Sequence, residues 1–134
     1  MDITTHARKL VFSGFFRAGS LQVDVVDGQL KIRREGAHAK LVRCVDQVTF
    51  NGRLARERGT EVLVVTERGV LRAEVDGLRL IEVAPGIDPL RDIVDQAGAH
   101  IRIDPDLREM DARLFRPEPM QLCLDVASTR HQNP

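Results

Sequence analysis

Two stretches of the chain carry apolar-rich runs on either side of an Asp-Gly dipeptide, and each predicts a β-hairpin. Leu21 to Val26 and Gln29 to Ile32 flank Asp27-Gly28; Val70 to Val75 and Leu78 to Val83 flank Asp76-Gly77. Asp-Gly in this setting favours a two-residue type I′ turn, because both central residues then take positive φ. In the first hairpin Leu21, Val23 and Val25 fall on one face with Gln22 and Asp24 on the other, so one face is expected to be buried and one wet. Val62 to Val65 is apolar throughout, which predicts an inner strand covered on both faces. Lys9 to Phe12 and Val45 to Phe50 are expected strands as well.

Further along, the spacing turns helical. Asp88 suits an N-cap, Pro89 the first helical position and Gly98 the position just past the end. Between them Leu90, Ile93, Val94 and Ala97 recur at i, i+3, i+4 and i+7, one apolar stripe. Asp104-Pro105 repeats the start signal, and Leu107, Met110 and Leu114 follow on one face, so a second helix is expected there. A Pro-rich stretch (Pro117, Pro119) and a polar end from Ser128 to Pro134 come last. The expected organisation is one domain over residues 1–120 and a disordered polar tail over 121–134. The fold class that follows is α/β: a β-rich layer with two β-hairpins followed by two C-terminal helices.

Composition narrows the partners. Lys+Arg and Asp+Glu stand at 20 each, so the formal net charge is zero and no global field favours nucleic acid or an anionic membrane. With five Phe and no Trp or Tyr, the core must rest on Val, Leu and Ile. No run approaches the roughly 20 apolar residues that cross a bilayer, and the N-terminus shows no apolar signal region. Cys44 and Cys123 form no CxxC pair and are expected as reduced thiols of a cytoplasmic protein.

Taken singly, the polar residues identify no active site. His6, His38, His100 and His131 share no ligand spacing with one another or with the cysteines, so no metal is expected. Gly14 and Gly19 match neither phosphate-binding glycine pattern. The basic run Arg53 to Arg58 is broken by Glu57 and reads as a solvated face. Glu67 and Glu82 are candidate carboxylates near strand ends, but neither has a partner or a desolvating pocket legible in the sequence, which favours structural roles.

The order of the segments says more. Lys9 to Gly19 (KLVFSGFFRAG), the Asp27-Gly28 hairpin, Val45 to Phe50 (VDQVTF), Thr66 to Leu71 (TERGVL), Leu80 to Asp88 (LIEVAPGID) and Leu107 to Met120 (LREMDARLFRPEPM) occur in a collinear series. That series resembles the C-terminal part of family I CoA-transferases, the acetate, propionate and 3-oxoacid type. The resemblance implies the CoA-transferase fold and, for the full enzyme, transfer of CoA between short-chain carboxylic acids through a glutamyl-CoA intermediate. Acyl-CoA and carboxylate are then the substrates, and no further cofactor is implied. In the family the nucleophilic glutamate lies upstream of the matched region, and a Gly-Gly segment of the active site falls just before the position of Met1. No residue here matches the nucleophile, so the resemblance assigns no catalytic residue to this chain and leaves its CoA-contacting residues unknown. It implies an isolated chain that is inactive and that pairs with a missing upstream half or with itself. The alternative is a catalytically inactive CoA-transferase-like module that binds or regulates a partner.

Overall fold

The computed structural model describes residues 6–42 and 57–122. The expected strand Val45 to Phe50, both cysteines, His131, most of the basic run and all of the expected tail but Gln121 and Leu122 lie outside these residues.

Nine strands are described: β1 (Lys9–Ser13), β2 (Arg17–Ala18), β3 (Gln22–Val26), β4 (Gln29–Arg34), β5 (His38–Ala39), β6 (Glu61–Val65), β7 (Gly69–Glu74), β8 (Gly77–Val83) and β9 (Ile101–Glu109). Five of them form one sheet in the order β1-β6-β7-β8-β9. β1 runs parallel to β6 and β8 parallel to β9, while β7 is antiparallel to both neighbours. β1, β6, β8 and β9 therefore all point one way. The pairs β2–β5 and β3–β4 are small separate sheets.

The period-2 pattern explains the two faces. Leu71, Leu80 and Ile103 are cross-strand partners, and Leu71, Leu80 and Ile101 are buried in a core with Phe16, Leu30, Ile93 and Phe115. One residue along, Arg72, Arg79 and Arg102 form a row across the same three strands. Like charges opposite one another would repel, but Glu74 lies among them. It pairs with Arg79 at 2.5 Å and with Arg102 at 3.1 Å, and Asp104 lies 3.8 Å from Arg72. β6 is an inner strand as expected, although only Val62 is buried and Leu63, Val64 and Val65 are half-buried.

The first hairpin turns at Asp27-Gly28, whose φ values of 53° and 73° fit the type I′ geometry. Val23 and Ile32 pack on the core, whereas Val25 stays exposed at the hairpin's far end. The second hairpin differs from the expectation. Glu74 pairs with Gly77, so the two-residue loop is Val75-Asp76, one residue earlier than Asp76-Gly77. Gly77 is needed for another reason: a Cβ there would sit 2.7 Å from the His100 carbonyl oxygen, which accepts the Leu78 N–H at 3.0 Å. At Gly28 nothing lies within 4 Å and only the left-handed backbone disfavours a side chain. Gly28→Val is accordingly expected to cost about 1–2 kcal/mol, and Gly77→Val, which adds a backbone clash, about 3 kcal/mol. Urea unfolding of the two variants checks the order.

The helical part is smaller than its sequence pattern suggests. Asp88 does cap a segment, accepting from the N–H groups of Leu90 and Arg91, but the segment is a short π-helix, Pro89–Val94, that buries Ile93. The second expected helix is replaced by β9 and a single 3₁₀ turn, Ala112–Phe115. The Asp104 side chain accepts the Asp106 N–H at 2.8 Å, the same local bond that a helix N-cap makes, but here it shapes a bulge. Between the pairs Leu80↔Ile103 and Glu82↔Arg108, β8 advances two residues and β9 five. The true cap of the 3₁₀ turn is Asp111, which accepts from Arg113 N.

Candidate functional site

In open α/β sheets, ligands bind beyond the carboxyl ends of the parallel strands, where loops rather than ladder partners follow. Four such ends lie together here. Ser13-Gly14 follows β1, Thr66 to Arg68 follows β6, Ala84 to Gly86 follows β8 and Met110-Asp111 follows β9. Backbone bonds tie them: Gly14 N donates to Val65 O at 3.1 Å, Ala84 N to Arg68 O at 2.8 Å, and Met110 N to Val83 O at 2.8 Å. The Thr66 hydroxyl closes the β6–β7 turn, donating to Gly69 O at 3.0 Å and accepting from Gly69 N at 3.2 Å.

At the centre lies Arg68, which is fully buried. Its Nε donates to Glu67 Oε1 at 3.0 Å, Nη2 to Glu35 Oε1 at 2.5 Å, and Nη1 to Glu35 Oε2 at 3.0 Å and to the Asp92 carbonyl at 2.7 Å. The guanidinium also stands 4.9 Å from the centre of the Phe16 ring, within cation–π range. Glu67 uses its other oxygen to accept the Phe16 N–H at 2.8 Å. Arg17 approaches Glu35 at 3.5 Å and donates to the carbonyls of Gly36 and Gln96, both at 2.7 Å. Two arginines thus face two carboxylates, and the set joins the loop after β1, the loop after β4, the β6–β7 turn and the end of the π-helix. A buried charge persists only when paired and hydrogen-bonded.

These pairs carry a pH dependence. Burial pushes the Glu35 carboxyl up, but hydrogen bonds and charge from Arg68, with the Gly36 N–H and Arg17, outweigh it and hold Glu35 below its ordinary range. Asp92 is lowered through its hydrogen bond to Arg91, and Asp111 is lowered to about 2 through its bond to Arg113. Each lowered carboxyl stabilises the fold fully above its unfolded-state value, and that contribution disappears as pH falls through the folded-state value. Stability should therefore be level from about pH 8 to 5 and decline between about pH 4 and 2. Thermal melts across that range check it.

Two open grooves flank this centre. One of about 770 Å³ lies at the β8 and β9 ends, where Gly28, Pro85, Glu109, Arg113, Phe115 and Pro117 are among its walls. The other, of about 160 Å³, lies at the β1 and β6 ends, lined by Phe12, Gly14, Phe15, Lys40, Leu41 and Val64.

Of the two carboxylates singled out in the sequence, Glu67 belongs to the Arg68 set, while Glu82 lies on β8 and pairs with Arg108 at 3.2 Å. The structure does not bring them together as a catalytic pair. Among the described residues no group of three or more His, Cys, Asp or Glu is arranged to hold a metal ion, and no helix is long and apolar enough to cross a membrane. Sequence reasoning missed Arg68, Glu35 and Arg17. A charged residue in a turn reads as solvated, and what buries Arg68 is tertiary: Phe16, Glu35 and the Asp92 carbonyl close around it.

No family model matches the chain. Among characterised proteins it is 41% identical, over 96% of its length, to the acetate CoA-transferase YdiF of Escherichia coli K12. It is 45% identical, over 86% of its length, to the caffeate CoA-transferase of Acetobacterium woodii. A crystal structure of YdiF from E. coli O157:H7 in a thioester complex with CoA matches 86% of the chain at 43% identity with a TM-score of 0.82. The YdiF apoenzyme matches with a TM-score of 0.83. The chain spans only 24% of YdiF and 22% of the caffeate enzyme. At this level of identity and superposition, the 134-residue chain is a homologue of about a quarter of a CoA-transferase and shares the fold of that part.

Proposed function

We propose that the chain is the C-terminal portion of an acyl-CoA:carboxylate CoA-transferase, and that the nucleophilic glutamate comes from a segment outside these 134 residues. The observation that carries this reading is the 41–45% identity to two CoA-transferases along most of the chain. In the reaction a glutamate carboxylate attacks the acyl-CoA thioester, forming an acyl-glutamyl anhydride and CoA thiolate. The thiolate attacks the glutamyl carbonyl, releasing the first carboxylate and leaving a glutamyl-CoA thioester. An acceptor carboxylate then takes the CoA by the same two steps in reverse. The covalent carboxylate divides one exchange into steps of similar energy, and backbone donors stabilise each oxyanion.

In this reading the described residues build the carboxyl-end surface against which the catalytic segment sits. β1 is an edge of the described sheet, with Val11 exposed on it. Apolar residues on an open edge favour association, and the segment expected to cover them is the upstream part of the same enzyme. The protein would act in the cytoplasm on short-chain acyl-CoA, with Cys44 and Cys123 reduced. Steady-state exchange between propionyl-CoA and acetate by the whole protein tests the assignment. Parallel double-reciprocal lines support it, and absence of CoA transfer to any carboxylic acid contradicts it.

A further inference from the structure

Phe15 is held in an unusual position for a phenylalanine. It is 59% exposed, although burying such a ring would contribute roughly 1.5–3 kcal/mol. The residues on either side are fixed. The Gly14 N–H is bound to Val65 O at 3.1 Å, and the Phe16 N–H to the Glu67 carboxylate at 2.8 Å. Phe16 itself is buried beneath the Arg68 guanidinium. The Arg68 set therefore pins the loop so that the neighbouring ring faces outward at the carboxyl ends of two parallel strands, where ligands bind.

The space beside that ring has a distinct chemistry. Among the described residues its apolar walls include Phe12, Phe15, Leu41 and Val64, Ser13 and Thr66 line it as well, and its cationic side chain is Lys40. The Lys40 ammonium lies 3.7 Å from where a Cβ on Gly14 would stand, so no side chain at residue 14 separates it from the groove. Apolar walls with a few polar groups are the usual make-up of a small-ligand site. At about 160 Å³ the groove compares with the roughly 150 Å³ cavity that accepts benzene. That is room for a short alkyl chain or one ring.

We propose that this groove receives the acyl portion of the carboxylic acid substrate, with Phe15 as the wall that sets chain length and Lys40 as the cation facing the acid's carboxyl or thioester oxygen. The assignment rests on the CoA-transferase reading and adds the acyl subsite to it. Charge complementarity selects the occupant: an anionic head beside the Lys40 ammonium and an apolar tail along the phenylalanines.

The test uses the whole transferase, with acetyl-CoA as donor and propionate, butyrate or hexanoate as acceptor. Phe15→Ala should raise the hexanoate-to-propionate ratio of kcat/KM at least fivefold, and Phe15→Leu should give an intermediate ratio. Lys40→Met should raise KM for every acid about tenfold. A purely structural role for Phe15 would scale all acids alike, so a ratio unchanged within twofold overturns the subsite while leaving the transferase reading intact. Failure of the unaltered enzyme to transfer CoA to any acid overturns both.

Discussion

Replacing Arg68 with alanine is expected to lower the stability of the chain by about 3–5 kcal/mol. A domain of this size has roughly 5–15 kcal/mol in total, so the variant should be largely unfolded under mild heating. The guanidinium is wholly buried, and its partner Glu67 keeps only 10% side-chain exposure. Removing the cation leaves that carboxylate without a counter-charge in a nearly dry site. It also frees the Asp92 carbonyl and takes away the cation over Phe16. Glu35→Gln should cost much less, because Glu35 is 34% exposed and water screens what remains. Urea titrations followed by far-UV circular dichroism give both values. A loss within about 1 kcal/mol for Arg68→Ala would show that the set does not hold the loops together.

Gly69→Ala is expected to be the most damaging single methyl group, costing about 3 kcal/mol or more. Gly69 opens β7 and pairs with Val83. A Cβ there would collide with the Glu82 carbonyl oxygen, and the Leu80 and Ile93 side chains stand 3.0 and 3.4 Å from the same point. Backbone cannot yield there without parting β7 from β8, two inner strands of the five-stranded sheet. The Thr66 hydroxyl bonds to Gly69 would be strained by the same shift. Faster amide exchange at Leu71 and Ala84, together with a lowered melting temperature, is the expected signature. A melting temperature equal to that of the parent chain would contradict the close approach.

Much of the strand content was legible in the sequence because it depends on local pattern. The Asp27-Gly28 turn is specified by its two residues, and the apolar run from Val62 to Val65 by its lack of alternation. Asp104-Pro105 misled because an aspartate that accepts a backbone N–H two residues on serves a β-bulge as well as a helix start. Gly77 was recognised as necessary, but its reason is the His100 carbonyl brought alongside by β9, a tertiary fact that turn chemistry does not contain. The candidate site was the least legible part. Arg17, Glu35, Glu67 and Arg68 lie in three separate segments, β2, the loop after β4 and the β6–β7 turn, and meet only when the carboxyl ends of the strands converge. The family resemblance was legible because it rests on the order of many short segments rather than on any one residue.

The central claim, that the chain supplies one part of a CoA-transferase, is tested most directly by reconstitution. The upstream three-quarters of the E. coli acetate CoA-transferase, which the chain does not span, would be produced alone and together with this chain, and CoA exchange between acetyl-CoA and propionate measured. Neither polypeptide should show exchange by itself, and the co-purified pair should. Exchange by the 134-residue chain alone, or a stable pair with no exchange while the complete enzyme is active under the same conditions, would contradict the account.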